Sequence, residues 1–293
     1  MGVLKLKKGI TVEYDRENFI YHFYGLDTNE MKKVTSRAFS CLLGQNEWES
    51  IGKTILERFK AVQKEEIDPY YMVRGDMAEL LVKDYIQDFY KKKNINVELK
   101  TWKKEEVKYD NFSSNDKYGG LIDIAIAKPQ DFRAVIEVKS KSLKDYGKIN
   151  ESKGNIDEVL QGKFLSFLSQ VDKCLMVYVF FTPNQEKQIK EYIETQKTIG
   201  YEIQDTMIYA KEIIDKLKFD YKNLKISIFK YDISKEKEEI KDQMKVAYNN
   251  LVHFKEKQTI AESYFTQREN LYLKDLAGHE LTKEELEDNK PFW

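Results

Sequence analysis

Apolar residues along this chain keep three kinds of spacing. Near the N-terminus Val3, Leu4 and Leu6, then Ile10, Val12 and Tyr14, then Phe19, Tyr21 and Phe23 fall at short, strand-like intervals, with Gly9 and residues 15–18 as breaks, which predicts short strands. From residue 29 to about 62 the positions Val34, Ala38, Leu42 and Leu43, then Ile51, Ile55, Leu56 and Phe59, recur at helical intervals. The interruption at residues 44–47 divides them into two helices joined by a turn. Asp68 and Pro69 close that unit, and residues 72–89 form a further helix with Leu80, Leu81, Tyr85 and Ile86 in its buried stripe.

The middle of the chain behaves differently. Leu121–Ala127 (LIDIAIA) and Arg133–Lys139 (RAVIEVK) are apolar on two faces, as expected of strands covered on both sides. The tetrapeptide 128–131 between them has turn composition. A helix over 157–172 leads to a third buried strand at 174–181. Beyond Thr182-Pro183 the pattern is helical and charge-rich, with one strand-like segment at 224–231 and a solvated terminal helix where Thr282 and Glu285 have capping-box spacing. The expected class is α/β: a mixed central sheet flanked by helices, carrying a helical, charge-rich C-terminal extension. The expected divisions are a strand-rich segment over 1–30, a core over 31–204 and an α-rich extension over 205–293.

Composition narrows the function classes. With 293 residues, 41% hydrophobic and 34% charged, the chain fits neither the disordered, the fibrous nor the membrane-spanning class. Lysine plus arginine total 49 against 50 aspartate plus glutamate, a formal net charge of −1. Any phosphate-binding surface is therefore a local patch. Lys91–Lys93 and Lys100–Lys104 around Trp102 form such basic stretches, read first as solvated loops. Two cysteines, Cys41 and Cys174, cannot build a four-thiolate centre, and their apolar neighbours indicate core packing in a reducing compartment. The lysine-interrupted N-terminus lacks the apolar stretch of a signal peptide, so the cytoplasm is the expected location. Three scattered histidines, His22, His253 and His279, argue against a three-histidine zinc site.

Chemistry concentrates on the two apolar strands. Asp123 interrupts the first, and Glu137 with Lys139 interrupts the second. A carboxylate inside a core is costly unless it is paired or bound to metal. Asp123 and Glu137 are each seven residues from Gln130, so a hairpin centred there sets them opposite one another, close enough to share a divalent cation. Carboxylate oxygens suit Mg²⁺ or Mn²⁺, and Lys139 beside them can orient or help deprotonate a water. Glu-x-Lys by itself says little, because it also occurs at Glu30, Glu98, Glu106, Glu151 and Glu239. Only the copy at Glu137 follows a buried strand that carries an aspartate. An ion pair at a sheet edge is the plainer alternative, and two-sided apolar strands disfavour it.

Asp123 followed by Glu137-Val138-Lys139 resembles the site of the PD-(D/E)xK nuclease superfamily, whose core is restriction-endonuclease-like. Upstream, Val34-Thr35-Ser36-Arg37, then Leu42 to Trp48 (LLGQNEW), then Met72 to Glu79 (MVRGDMAE) are similar to the motif run of phage lambda-type exonucleases, the YqaJ-like viral recombinases. The resemblance spans roughly residues 35–181. It implies metal binding by Asp123, Glu137, the Val138 carbonyl and Glu79, with two ions, and catalytic support from Lys139 and Gln161. It implies DNA contacts by Lys32, Lys33, Ser36, Arg37 and Arg74, although the family's usual arginine before the first motif is replaced here by lysines. The implied activity is 5′-to-3′ digestion of linear double-stranded DNA in phage-type recombination, in the host cytoplasm if the chain is phage-encoded. The implied partners are a single-strand annealing protein and further copies of the chain in a ring trimer. A restriction-type or structure-specific endonuclease on the same core is the first rival reading, and a non-catalytic nucleic-acid-binding protein the second.

Overall fold

The computed structural model describes residues 4–63, 67–101, 112–128, 131–198 and 205–279. In chain order its elements are β1 (Thr11–Asp15), β2 (Ile20–Tyr24), α1 (Ser36–Leu42), α2 (Ile51–Arg58), α3 (Pro69–Lys92), β3 (Glu98–Thr101), β4 (Phe112–Ser114), β5 (Gly119–Leu121), β6 (Ile124–Lys128) and β7 (Asp131–Ser142). There follow α4 (Tyr146–Ser152), α5 (Ile156–Leu168), β8 (Lys173–Phe181), α6 (Pro183–Thr198), α7 (Thr206–Leu217), β9 (Lys225–Asp232), α8 (Lys237–Lys257), β10 (Thr259–Ala261) and α9 (Gln267–Leu276).

Contacts gather the described residues of Met1–Glu65, Asp116–Tyr118 and Glu238–Trp293 into one unit and those of Glu66–Asn115 and Gly119–Lys237 into another. This grouping cuts across the expected divisions at 30 and 204. The segment after 205 supplies α7 and β9 to the second unit, and α8 to α9 to the first. In the first unit β1, β2 and β10 form a three-stranded antiparallel sheet, and α8 places Phe254 against Phe23 and Phe59.

The second unit is built on a five-stranded mixed sheet in the order β3-β6-β7-β8-β9. Only β7 and β8 run parallel, joined through α4 and α5, while the other neighbours are antiparallel. β6 and β7 are interior strands, as their two-sided apolar character requires. One face packs Ile124, Ile126, Ile136, Val138, Val177, Val179 and Phe181 against Val73, Met77 and Val82 of α3, Ile189 and Ile193 of α6, and Ile213 of α7. Full burial of each such side chain is worth roughly 1.5–3 kcal/mol, which makes this layer the main support of the sheet. The other face turns Cys174, Met176, Tyr178 and Phe180 toward α4 and α5.

Several boundaries differ from expectation for local reasons. Asp68 and Pro69 open α3 rather than close a unit: the Asp68 carboxylate accepts from the Tyr70 N–H, and Pro69 occupies the first helical position, where its missing N–H costs nothing. The apolar run 121–127 is split. Leu121 pairs with β4, and β6 begins only at Ile124. The expected strand at 224–231 becomes the edge strand β9 of the central sheet. The final described helix, α9, starts from a capping box formed by Thr266 and Glu269. Trp102 with its basic neighbours 103–104, and Thr282 with Glu285, lie outside the described residues.

Candidate active site

Past a bulge between Ile126 and Ala127 the β6–β7 ladder pairs Ile124 with Ile136, so it runs toward position 123 opposite position 137, as the sequence spacing predicts. Asp123 stands one residue before β6, where the ladder stops. Its Oδ2 accepts from the Val138 N–H at 2.7 Å and so extends the cross-strand pairing with a side chain. Strand alternation then places Glu137 and Lys139 on the sheet face covered by α5. Lys139 Nζ donates to Glu137 Oε1 at 2.7 Å and to Gln161 Oε1 of α5 at 3.1 Å. This meeting depends on Gly162. A Cβ there would lie 2.6 Å from Cys174 Sγ and from Met176 Sδ, so only glycine lets α5 settle this closely on the strands.

Burial and like charge dominate the electrostatics. Shielding, then the charges of Glu137 and Glu79, hold the Asp123 carboxyl well above its ordinary range. Shielding, then Asp76 and Glu137, push Glu79 up to about 8 from an ordinary 4.5. Burial works against the Lys139 ammonium, but Glu137, Asp123 and Glu158 outweigh it and hold Lys139 above its usual range. Asp123, Glu137 and Glu79 therefore feel one another's charge, and Lys139, paired with Glu137, is the cation that offsets it. Glu137 is 5% exposed, and its Oε2 is buried with no hydrogen-bond partner.

These residues suit a hard divalent cation in kind: carboxylate oxygens that repel one another, one of them orphaned. They do not form a closed cage. Among the described residues no three histidine, cysteine, aspartate or glutamate side chains stand together in a metal-holding group, and Lys139 takes up one oxygen of Glu137.

The residues expected to contact DNA have partners of their own within the fold. Arg74 of α3 spends its guanidinium within its own unit, donating to Glu186 Oε1 at 2.7 Å, to the Ser140 carbonyl at 3.3 Å and to the Tyr70 hydroxyl at 3.2 Å. Ser140 directly follows Lys139, so Arg74 ties α3 and α6 to the strand that carries the site. Lys32, Lys33, Ser36 and Arg37 belong to the other unit. There Thr35 caps α1, whose first residue is Ser36, and exposed Arg37 pairs with Glu49 at 2.5 Å. A pair the sequence reading passed over is Lys141 with Glu158, 2.7 Å apart beside Lys139 and Gln161. Its signal was present: Lys141 continues the alternation of Glu137 and Lys139, and Glu158 lies three residues, about one helical turn, before Gln161.

No protein-family model and no curated protein matches the chain. Among solved structures it is similar to an alkaline exonuclease from Laribacter hongkongensis, with 10% identity over 78% of this chain and 92% of that one and a TM-score of 0.41. It is also similar to a phage-related exonuclease from Haemophilus somnus 129PT, with 14% identity over 79% and 99% of the two chains and a TM-score of 0.43. A structure of the Laribacter enzyme in complex with dAMP gives 12% identity over 90% and 98% and a TM-score of 0.40. No helix among the described residues is long and apolar enough to cross a membrane.

Proposed function

We propose that the chain is a metal-dependent deoxyribonuclease acting from the ends of linear double-stranded DNA. The observation that carries this reading is Lys139 held between Glu137 and Gln161 beside Asp123, whose carboxyl, like that of Glu79, is raised by burial and by the charge of neighbouring carboxylates. A structural ion pair needs one carboxylate per cation. Here two more are held close by at a cost in repulsion, which a divalent cation would repay.

Asp123, Glu137, the Val138 carbonyl and Glu79 would hold Mg²⁺ or Mn²⁺. Such an ion supplies charge neutralisation at the phosphoryl oxygens and a more acidic water. The chain's own contribution is orientation. The Val138 N–H fixes the Asp123 carboxylate at the end of the β6–β7 ladder. Gln161 and Glu137 aim the Lys139 Nζ, whose remaining proton can hold a water in line with the scissile bond, or a non-bridging phosphate oxygen. Because its surroundings favour the charged form, Lys139 serves as a cationic hydrogen-bond donor, not as the base that removes the proton.

End dependence, 5′-to-3′ direction, a role in recombination with an annealing protein and a ring-shaped oligomer belong to the same proposal. They follow from the motif resemblance. The test is hydrolysis, with Mg²⁺, of linear duplex with and without a 5′-phosphate beside a covalently closed circle of the same sequence. Degradation of the linear forms alone supports the reading. Cutting of the circle would make the chain an endonuclease, and no cleavage of any form with Mg²⁺ or Mn²⁺ would remove catalysis altogether.

A further inference from the structure

Beyond the cluster around Lys139, β7 continues on the same face to Lys141, and α5 answers it with a second acceptor. Lys141 Nζ lies 2.7 Å from Glu158 Oε1. Glu158 is 9% exposed and is itself fixed: its other oxygen accepts from the Asn155 side-chain amide at 3.0 Å. Asn155 is held in turn, its backbone N–H donating to the Tyr178 hydroxyl at 3.1 Å, and Gly154, with φ +112°, leaves the room that hydroxyl needs. Two cations, Lys139 and Lys141, are therefore docked by Gln161 and Glu158, which stand three residues apart on one helix. The Lys141 side chain remains 23% exposed, close to the 20% of Lys139.

We infer that Lys141 is a substrate-positioning residue that binds the phosphate next to the scissile one. This rests on the nuclease reading and deepens it. Alternate residues of a strand are about 6.7 Å apart. That is comparable to the separation of neighbouring phosphates along a nucleic-acid strand, so a backbone laid along β7 meets Lys139 and Lys141 with consecutive phosphates. An ordinary surface lysine would have to be immobilised on binding. Lys141 is already held by a buried, fully satisfied carboxylate, so little side-chain entropy is left to lose.

The experiment measures cleavage of linear duplex with Mg²⁺, and anisotropy of a fluorescein-labelled duplex in EDTA, between 50 and 200 mM salt. Lys141→Met should raise KM several-fold with kcat nearly unchanged, and should lower the slope of log affinity against log salt by about one, the loss of a single phosphate contact. Lys141→Arg should restore both. Because Lys141→Met strands a buried carboxylate, Lys141→Met combined with Glu158→Gln is measured alongside, and it should show the same KM and salt slope. A wild-type salt slope and KM in these variants would overturn the inference and leave the nuclease reading standing. A chain that binds DNA but does not cut it would overturn the nuclease reading, with Lys141 still judged by the salt slope. A chain that does neither overturns both.

Discussion

Glu79→Gln in metal-free protein isolates the strain that the carboxylate cluster imposes on the fold. Glu79 has a folded pKa raised to about 8 from an ordinary 4.5, so the folded state holds its proton more tightly than the unfolded state does. For a raised acid the sign is fixed: its contribution is least harmful below the unfolded value, and stability is lost as pH rises toward and through the folded one. At 1.36 kcal/mol per unit the penalty is about 1 kcal/mol at pH 5, about 3 at pH 7 and about 5 at pH 9, against a typical domain stability of roughly 5–15. Glu79 keeps some contact with water, which screens part of this, so these figures are upper bounds. Glutamine has nearly the same volume and no charge. The variant should therefore be more stable than the wild type, by little at pH 5 and by most at pH 9. The assay is urea unfolding in EDTA at pH 5, 7 and 9, since urea leaves charge interactions unscreened. Parallel pH profiles for the two proteins, or a variant less stable at pH 9, would refute the claim that Glu79 is held against its neighbours' charge.

Other consequences are open to the same kind of measurement. Asp123→Asn keeps an acceptor for the Val138 N–H but removes a charge, so it should fold normally and lose most of its Mg²⁺ affinity by calorimetry; unchanged affinity would remove Asp123 from the metal set. Gly162→Ala drives a methyl group into Cys174 and Met176, and should cost about 1–3 kcal/mol in thermal or chemical unfolding while lowering cleavage through displacement of Gln161. Arg74→Ala leaves the Glu186 carboxylate without its partner and should destabilise the fold by about 3 kcal/mol, with the salt dependence of DNA binding unaltered; a smaller salt slope would instead place Arg74 on a phosphate.

What the sequence disclosed about this molecule followed from short-range periodicity. The equal distance of Asp123 and Glu137 from Gln130 anticipated the register beside the site, but Pro129 and Gln130 lie outside the described residues, and a bulge between Ile126 and Ala127 that the sequence does not announce steps the ladder by one residue from the Ala127–Phe132 and Lys128–Asp131 pairs. The helices around the site were visible from their periodicity, whereas Gln161 was singled out by the motif resemblance. What stayed hidden was decided by partners distant in the chain. Nothing local says that the strand at 225–232 closes the central sheet beside β8, or that Arg74 meets Glu186 across 112 residues. The split of LIDIAIA was equally illegible, because Leu121 and Ile124 are alike as apolar residues and only the pairing of Leu121 with Phe112 separates them. Lys141 and Glu158 went unread because the Glu-x-Lys motif drew attention to one lysine of the row and not to its continuation.

The most direct test of the central claim is digestion of 5′-phosphorylated linear duplex by the wild type and by Lys139→Ala, with thermal unfolding and DNA binding recorded for both. The account predicts Mg²⁺-dependent release of nucleotides by the wild type, and loss of that activity in a variant that still folds and binds. Wild-type cleavage by Lys139→Ala would contradict it.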